Sequence, residues 1–448
     1  MSRPICLIFY LSMFRQQLLD SLLGCRRILI AGYGREGRST HALLQRIAPL
    51  PEITVARDDE EIFACLEEAK RCGRGYDLVV KSPGIPMMKL EGRCDLEKVT
   101  SQSDLFLQVF GDMTVGVTGT KGKSTTTALL GHVLASAMPS RQVLVAGNMG
   151  IPLFDIVDQM DEGTIVVAEF SCHQLENIHR GPHVGVVLNL YQEHLDHYHD
   201  YRGYGMAKLQ MMLRQQQGDH CFYCTDSADL VAMVSEFRSE VVSSLHAYSL
   251  REARQSDVAS MPTRLQGDHN LCNIFAVREV TSLMGVSSSC FAEALASFQG
   301  LPHRLEQVGT FRGITFYNDS ISTIPEATIA ALQALPQTHT LILGGFDRGI
   351  DYSPLAVCLA ARNEVGNLVF VGKAGRRMMQ EWQRLSPNPL EGRNVLLEDD
   401  YAKIVAWCFA HTQRGKVCLL SPAAASYDSF TNFEHRGNTF KELILKNE

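Results

Sequence analysis

The stretch Val115 to Leu130, V-G-V-T-G-T-K-G-K-S-T-T-T-A-L-L, begins apolar, passes through a glycine-rich run with two lysines and ends in helix formers. Val115 to Thr118 reads as a buried parallel strand, and Ser124 to Leu130 as the helix that follows it. Between them stand Gly119, Thr120, Lys121, Gly122, Lys123, Ser124 and Thr125. In a phosphate-binding loop, successive backbone N–H groups point at phosphate oxygens and a lysine reaches the terminal phosphates. The hydroxyl after that lysine ligates Mg²⁺. All three parts are here, although Gly122 is preceded by glycines at 119 and 116, which makes this a shortened form of the loop. The competing reading, a glycine turn that binds nothing, is disfavoured by the strand–loop–helix setting.

A triphosphate with Mg²⁺ calls for acidic or imidazole groups at the ends of neighbouring strands. The run Ile165–Ala168 delivers Glu169, and Val184–Leu188 delivers Asn189 followed by Gln192-Glu193-His194-Leu195-Asp196. Mg²⁺ prefers oxygen, so a lone His194 would ordinarily be a surface residue. Its place at a strand mouth beside the loop makes it a metal candidate.

Working outward, residues 26–31 form a short apolar strand, and Gly32-x-Gly34-x-x-Gly37 follows at once. Further strands at Ile53–Ala56 and Leu78–Val80 run into Arg57-Asp58 and Lys81-Ser82-Pro83-Gly84. This is a nucleotide-binding α/β unit, though the glycine pattern alone also serves dehydrogenases or mere helix–strand packing. After His303 the alternation resumes, with strands at Leu341–Leu343, Leu368–Val371, Val395–Leu397 and Val417–Leu420. The expected fold is therefore α/β throughout, with a doubly wound central sheet.

The 448 residues carry a net charge of −7 and are 45% hydrophobic, which suits a globular chain of two or three domains and gives no sign of a nucleic-acid partner. Thirteen scattered cysteines fit reduced thiols better than a disulfide framework. Cys221-Phe-Tyr-Cys224 reads as part of a buried strand, with no metal role expected. Pro4 to Phe14 is apolar but too short to span a bilayer, and residues 1–12 read as a leader or mis-started segment.

Taken in order, T-G-T-K-G-K-S-T, Gly147-Asn148-Met149-Gly150, Glu169-Phe170-Ser171 and Asn189…Glu193-His194-Leu195-Asp196 resemble the Mur ligases. So do Tyr204…Lys208, Gly267-Asp268-His269-Asn270…Asn273, Leu301-Pro302-His303-Arg304-Leu305-Glu306 and Asn318-Asp319-Ser320. The tail Ser421-Pro422-Ala423-Ala424-Ala425-Ser426…Phe433-Glu434-x-Arg436-Gly437 is similar to the member that adds glutamate to UDP-N-acetylmuramoyl-L-alanine. The resemblance implies a cytoplasmic, monomeric, ATP-dependent ligase of cell-wall precursors, acting through an acyl phosphate. It divides the chain at 13–112 (a Rossmann-like UDP-binding domain), 113–303 (a P-loop ATPase-type domain) and 304–448 (a Rossmann-like glutamate-binding domain).

The same resemblance assigns residues. Lys123, Glu169, His194 and Lys208 would be catalytic, with Ser124 and Glu169 holding one Mg²⁺ and His194 a second. Lys208 would be carbamylated, which turns a cation into an oxygen ligand for that second ion. Asn270 and Asn273 would read adenine, while Arg304 and Asp319 would reach ATP, a division that implies closure before chemistry. Gly34, Arg35, Gly37, Arg57, Ser82, Asn148, Thr323, Arg348, Ser426 and Phe433 would contact UDP-N-acetylmuramoyl-L-alanine or glutamate.

Three departures bear on the glutamate. Ile321 stands where a lysine usually follows Asn-Asp-Ser, Arg348 stands in the Gly344-Gly345-Phe346-Asp347-Arg348 run, and Glu193 replaces the usual aspartate. Drift with D-glutamate still in use is one reading. The favoured one is a branch that adds L-glutamate, gripping the dicarboxylate through a forked guanidinium. A nucleotide switch or a non-catalytic paralogue are the rival classes, but Lys123, Glu169 and His194 are all present.

Overall fold

The computed structural model describes residues 18, 22, 24–46, 51–193, 197–198, 200–385 and 392–448. His194 and the segment 1–12 lie outside these described residues.

The strands are β1 Arg27–Ala31, β2 Glu52–Ala56, β3 Leu78–Lys81, β4 Val99–Ser101, β5 Thr114–Thr118, β6 Val143–Gly147, β7 Ile165–Glu169 and β8 Val184–Val187. After these come β9 His220–Cys224, β10 Ser244–Tyr248, β11 Glu306–Phe311, β12 Ile314–Asn318, β13 Thr338–Gly344, β14 Asn367–Val371, β15 Asn394–Leu397 and β16 Val417–Leu420. They form three sheets, ordered β2-β1-β3-β4, β10-β9-β8-β5-β7-β6 and β11-β12-β16-β13-β14-β15. Pairing is parallel except for the β11–β12 hairpin. Central strands such as β5 (T-V-G-V-T) and β8 (V-G-V-V) are buried at every position, as parallel strands covered on both faces must be. The expected α/β class, with a doubly wound middle sheet, is what the chain forms.

By contacts the chain divides into two compact units, residues up to Met261 with Leu271–Ala296, and Pro262–Asn270 with Ser297–Glu448. The first unit contains both leading sheets. Its elements meet through polar pairs as well as a shared core: Ser39 Oγ donates to Asp155 at 2.6 Å, and the buried Lys81 ammonium reaches Glu176 at 2.9 Å. The second unit carries the third sheet on two apolar cores, one around Trp382 and Phe370 and the other around Phe316 and Phe440.

In every sheet, strand order reverses at a strand whose carboxyl end opens into a glycine turn. At β1 this is Gly32, at β5 Gly119 and at β13 Gly344-Gly345. Crevices at such reversals are where open α/β sheets bind ligands. Among the described residues no helix is long and apolar enough to cross a membrane.

Candidate functional site

The glycine loop leaves β5 and enters the helix Lys123–Ala137. Its turn needs two glycines. Gly119 has φ +151° with Leu188 Cβ 2.9 Å from where a side chain would start. Gly122 has φ +87° with the Asn273 amide at 2.9 Å. The helix has no side-chain cap, so its first amide donors remain for a ligand.

Asn189, at the end of β8, fastens the loop. Its Oδ1 accepts from the Thr120 N–H at 3.1 Å and the Lys121 N–H at 2.8 Å, while Nδ2 donates to the Lys121 carbonyl at 3.0 Å. Thr120 Oγ1 pairs with the Tyr204 hydroxyl at 2.8 Å, and the Lys121 ammonium meets the Glu193 carboxylate. Asn189 and Tyr204 appear in the sequence only as motif members. Their bracing role depends on strand order and helix facing, which spacing alone does not carry.

Lys123 Nζ donates to the carbonyls of Gly119 at 3.0 Å and Thr120 at 3.1 Å. Lys208, on the helix Tyr201–Leu213, is 2% exposed, and its Nζ donates to the same Gly119 carbonyl at 2.9 Å while lying 4.8 Å over the Tyr204 ring. Burial lowers both lysines from the usual range, and Lys208 comes down to about 8.

Glu169 ends β7 and is 1% exposed. Asn148 Nδ2 donates to its Oε1 at 2.7 Å, whereas its Oε2 is buried with no partner among the described residues. A buried carboxylate oxygen left unpaired costs several kcal/mol unless a cation or donor reaches it. With the Ser124 hydroxyl at the helix start, this is an oxygen donor set that fits Mg²⁺. Ser171, two residues on, caps the next short helix in a reciprocal box with Gln174 and has a structural task instead.

At the first sheet, Gly37 packs so close that a Cβ would lie 2.2 Å from the Gly32 carbonyl, and Ser82 Oγ donates to that carbonyl at 2.9 Å. Gly34 is open, and Arg35 donates to the Gly150 carbonyl at 3.3 Å. Arg57 is exposed and pairs with Glu61 at 3.5 Å. Glu36, inside the turn, takes a 2.6 Å bond from Gln174, has its other oxygen buried without a partner among the described residues, and is raised by burial to about 7.

In the second unit, Asp319 is buried, accepts from Ser421 Oγ at 2.8 Å and the Leu305 N–H at 3.1 Å, and is raised by burial to about 6. Arg304 sits between two non-glycine residues in left-handed backbone, His303 at φ 63° and Leu305 at φ 42°. Such strain gathers at functional positions. Arg348 donates to the Thr323 carbonyl at 2.7 Å, which brings those two residues together. Ser426 is buried and its carbonyl accepts from the Phe430 N–H at 2.9 Å. The Phe433 carbonyl takes the Ser320 hydroxyl at 2.8 Å. Asn270 Nδ2 is turned to the Gln266 carbonyl at 2.7 Å. Arg436, a motif member with no role assigned from sequence, is a structural centre. It is 1% exposed and bonds the Ser320 hydroxyl and carbonyl and the carbonyls of Ala424 and Ala425, between 2.8 and 3.2 Å.

Comparison with known proteins completes the picture. A family model described as the Mur ligase middle domain matches residues 117–281. The UDP-N-acetylmuramoylalanine--D-glutamate ligase of Geotalea uraniireducens is 32% identical over 450 residues, covering 94% of this chain and 97% of that protein. The protein of the same name from Desulfitobacterium hafniense is 31% identical, covering 94% and 98%. Among solved structures, the MurF ligase of Thermotoga maritima in complex with ADP has a TM-score of 0.55 at 17% identity, covering 95% and 97%. MurF from Acinetobacter baumannii has a TM-score of 0.58 at 15% identity, covering 96% and 98%. At such identities these structures speak to the fold alone. The expectation of L-glutamate is corrected here, because the full-length relatives are named for the D form. The departures at Glu193, Ile321 and Arg348 do not outweigh that agreement.

Proposed function

The chain belongs to the Mur ligase family of ATP-dependent amide-forming ligases, and from that premise we propose that it joins D-glutamate to UDP-N-acetylmuramoyl-L-alanine in peptidoglycan precursor synthesis. One observation carries the proposal: the glycine loop has a half-buried lysine, Lys123, and a buried one, Lys208, converging on Gly119, and a neighbouring carboxylate, Glu169, with an oxygen unpaired among the described residues.

On this reading the loop amides and Lys123 hold the phosphates of ATP. The alanyl carboxylate attacks the γ-phosphorus and the bond to the β-phosphate oxygen breaks. ADP leaves and an acyl phosphate remains. The amine of glutamate then attacks the acyl carbon, the bond to phosphate breaks, and the amine gives up a proton. Positioning and charge stabilisation supply most of the acceleration in phosphoryl transfer. Mg²⁺, held by Ser124 and Glu169, would draw charge from the transferring phosphoryl group. Lys208 as an ammonium would repel a dication. Its depressed pKa keeps neutral amine available to take up carbon dioxide, and the resulting carbamate would offer oxygens instead. The first sheet's glycine turn, with Arg35 and Ser82, would take the UDP moiety, and Thr323 with Arg348 the glutamate.

ADP release assayed with UDP-N-acetylmuramoyl-L-alanine and each glutamate enantiomer tests this. The expected result is turnover dependent on the UDP substrate and faster with D-glutamate. Preference for the L form removes the stereochemical part, and no ligation with either enantiomer removes the whole.

A further inference from the structure

The C-x-x-C pair cannot bind one ion, because residues three apart in a strand face opposite sides. Cys221 is buried inside β9, its thiol pushed up to about 12. Cys224, at the strand's carboxyl end, has a different neighbour. Its Sγ lies 3.7 Å from Sγ of Cys272 on the helix Asp268–Leu283, and 3.5 Å from Oδ2 of Asp226. Cys272 Sγ is 4.0 Å from the same oxygen. Among the described residues this is the group of cysteine, histidine and acidic side chains whose donor atoms converge within 4.8 Å.

We propose that Cys224, Asp226 and Cys272 form a Zn²⁺-binding site. Tetrahedral zinc with Zn–S of about 2.3 Å and Zn–O of about 2.1 Å has S···S edges of ~3.8 Å and S···O edges of ~3.6 Å. The S···S distance and the Cys224–Asp226 distance match those edges, and the third closes by a small rotation of the partly exposed Cys272. Two thiolates and a carboxylate are soft enough to favour zinc over Mg²⁺. The donors are also oriented: Asp226 Oδ2 takes the Leu250 N–H at 2.6 Å, and the Asp226 N–H is directed at the Cys224 sulfur. Such supporting bonds fix ligand geometry in metal sites. Asp226 is exposed and the 54% exposed Tyr191 borders the group, so water can supply the fourth ligand. The two sulfurs are not bonded to one another, and a disulfide would need them at about 2.05 Å. On binding, two thiol protons pass to solvent and the three anionic donors reduce the ion's charge to −1 at the site.

The position gives the metal something to do. Asn273, next to Cys272, is the residue whose amide lies against Gly122. Zinc would clamp the helix that carries Asn273 to the edge of β9, and so fix one wall of the glycine loop.

Full-length protein, reduced and stripped of metal, is titrated with Co²⁺ and then Zn²⁺ in the absence of nucleotide and substrates. The expected result is one equivalent of cobalt with intense thiolate-to-metal absorption and tetrahedral visible bands, displaced by zinc. Cys272→Ser abolishes the signal and Asp226→Asn weakens binding at least tenfold, with unchanged far-ultraviolet circular dichroism. Cys272 is partly exposed, so its variant stands in if Cys224→Ser does not fold. A pale, oxygen-coordinated spectrum overturns the proposal, as does an unchanged spectrum in Cys272→Ser. A Cys224–Cys272 disulfide forming while zinc is left unbound overturns it as well. Because no turnover is measured, failure here is independent of the ligase reading.

Discussion

The buried ammonium of Lys208 and the backbone carbonyl of Gly119 meet at 2.9 Å, tying the helix Tyr201–Leu213 to the loop that begins the phosphate site. The same carbonyl takes Lys123 at 3.0 Å, so two cations share one acceptor. A buried, incompletely neutralised charge costs stability. The folded lysine gives up its proton near 8, against 10.5 ordinarily, so the folded state binds fewer protons across that window. The cost is therefore present below pH 8 and relieved as pH rises towards 10.5. Lys208→Met should raise unfolding stability by about 1–3 kcal/mol at pH 7, with the gain shrinking by pH 9.5 in urea melts. Ligation should fall at least a hundredfold in the same variant. Wild-type stability flat over this range would refute the charge argument.

Gly122→Ala puts a methyl group 2.9 Å from the Asn273 amide at a φ of +87°, which L-residues rarely adopt. Stability should drop by about 1–3 kcal/mol. Binding of a fluorescent ATP analogue should weaken by more than that loss of fold explains, because the loop amides are displaced. Gly34→Ala meets no atom within 4 Å and provides the tolerant control for stability.

How much of this was written in the sequence depends on the range of the interaction. The strand–loop–helix around Gly119 and Gly122 was legible because both glycines are demanded locally by backbone shape. Glu169 was legible because a buried apolar run has to end where its carboxylate emerges. The Cys221–Cys224 run reads as a buried strand and forms most of β9, but strands β10 to β12 were not anticipated. The half-exposed β10 takes its pairing from β9, and the half-exposed β11 pairs with β12 in a hairpin whose place in the sheet is set by the distant β16. Arg436 was quoted without a role, since its four partners lie at Ser320, Ala424 and Ala425 and converge only in the folded unit. Cys224 and Cys272 are 48 positions apart, which no spacing rule links.

Arg436 gives a direct test of that hidden centre. Replacing it by Met preserves much of the volume but strips the carbonyls of Ser320 and Ala424 of this donor in a dry interior and leaves the Ala425 carbonyl with the Phe346 N–H. A loss of about 3–5 kcal/mol is expected. Arg436→Lys should recover only part of it, because one ammonium cannot span the fork. A midpoint in denaturant within about 0.5 kcal/mol of wild type for Arg436→Met would show that these contacts add no stability.

Glu36 offers a pH test at the first glycine turn. Its carboxyl is raised to about 7 by burial, against 4.5 ordinarily, and only Oε1 is paired, to Gln174 at 2.6 Å. The folded state therefore holds a proton that the unfolded chain releases near 4.5. By linkage its contribution is present below pH 4.5 and is lost as pH rises through 7. Glu36→Gln removes this dependence while keeping a polar group towards Gln174. The stability of the variant should match wild type near pH 4 and exceed it by about 1–3 kcal/mol at pH 8. The charge also faces the turn proposed to receive a diphosphate, so KM for the UDP substrate should climb above pH 7 in wild type and stay level in the variant. Parallel stability curves from pH 4 to 8 would mean that Glu36 is already ionised in the folded protein.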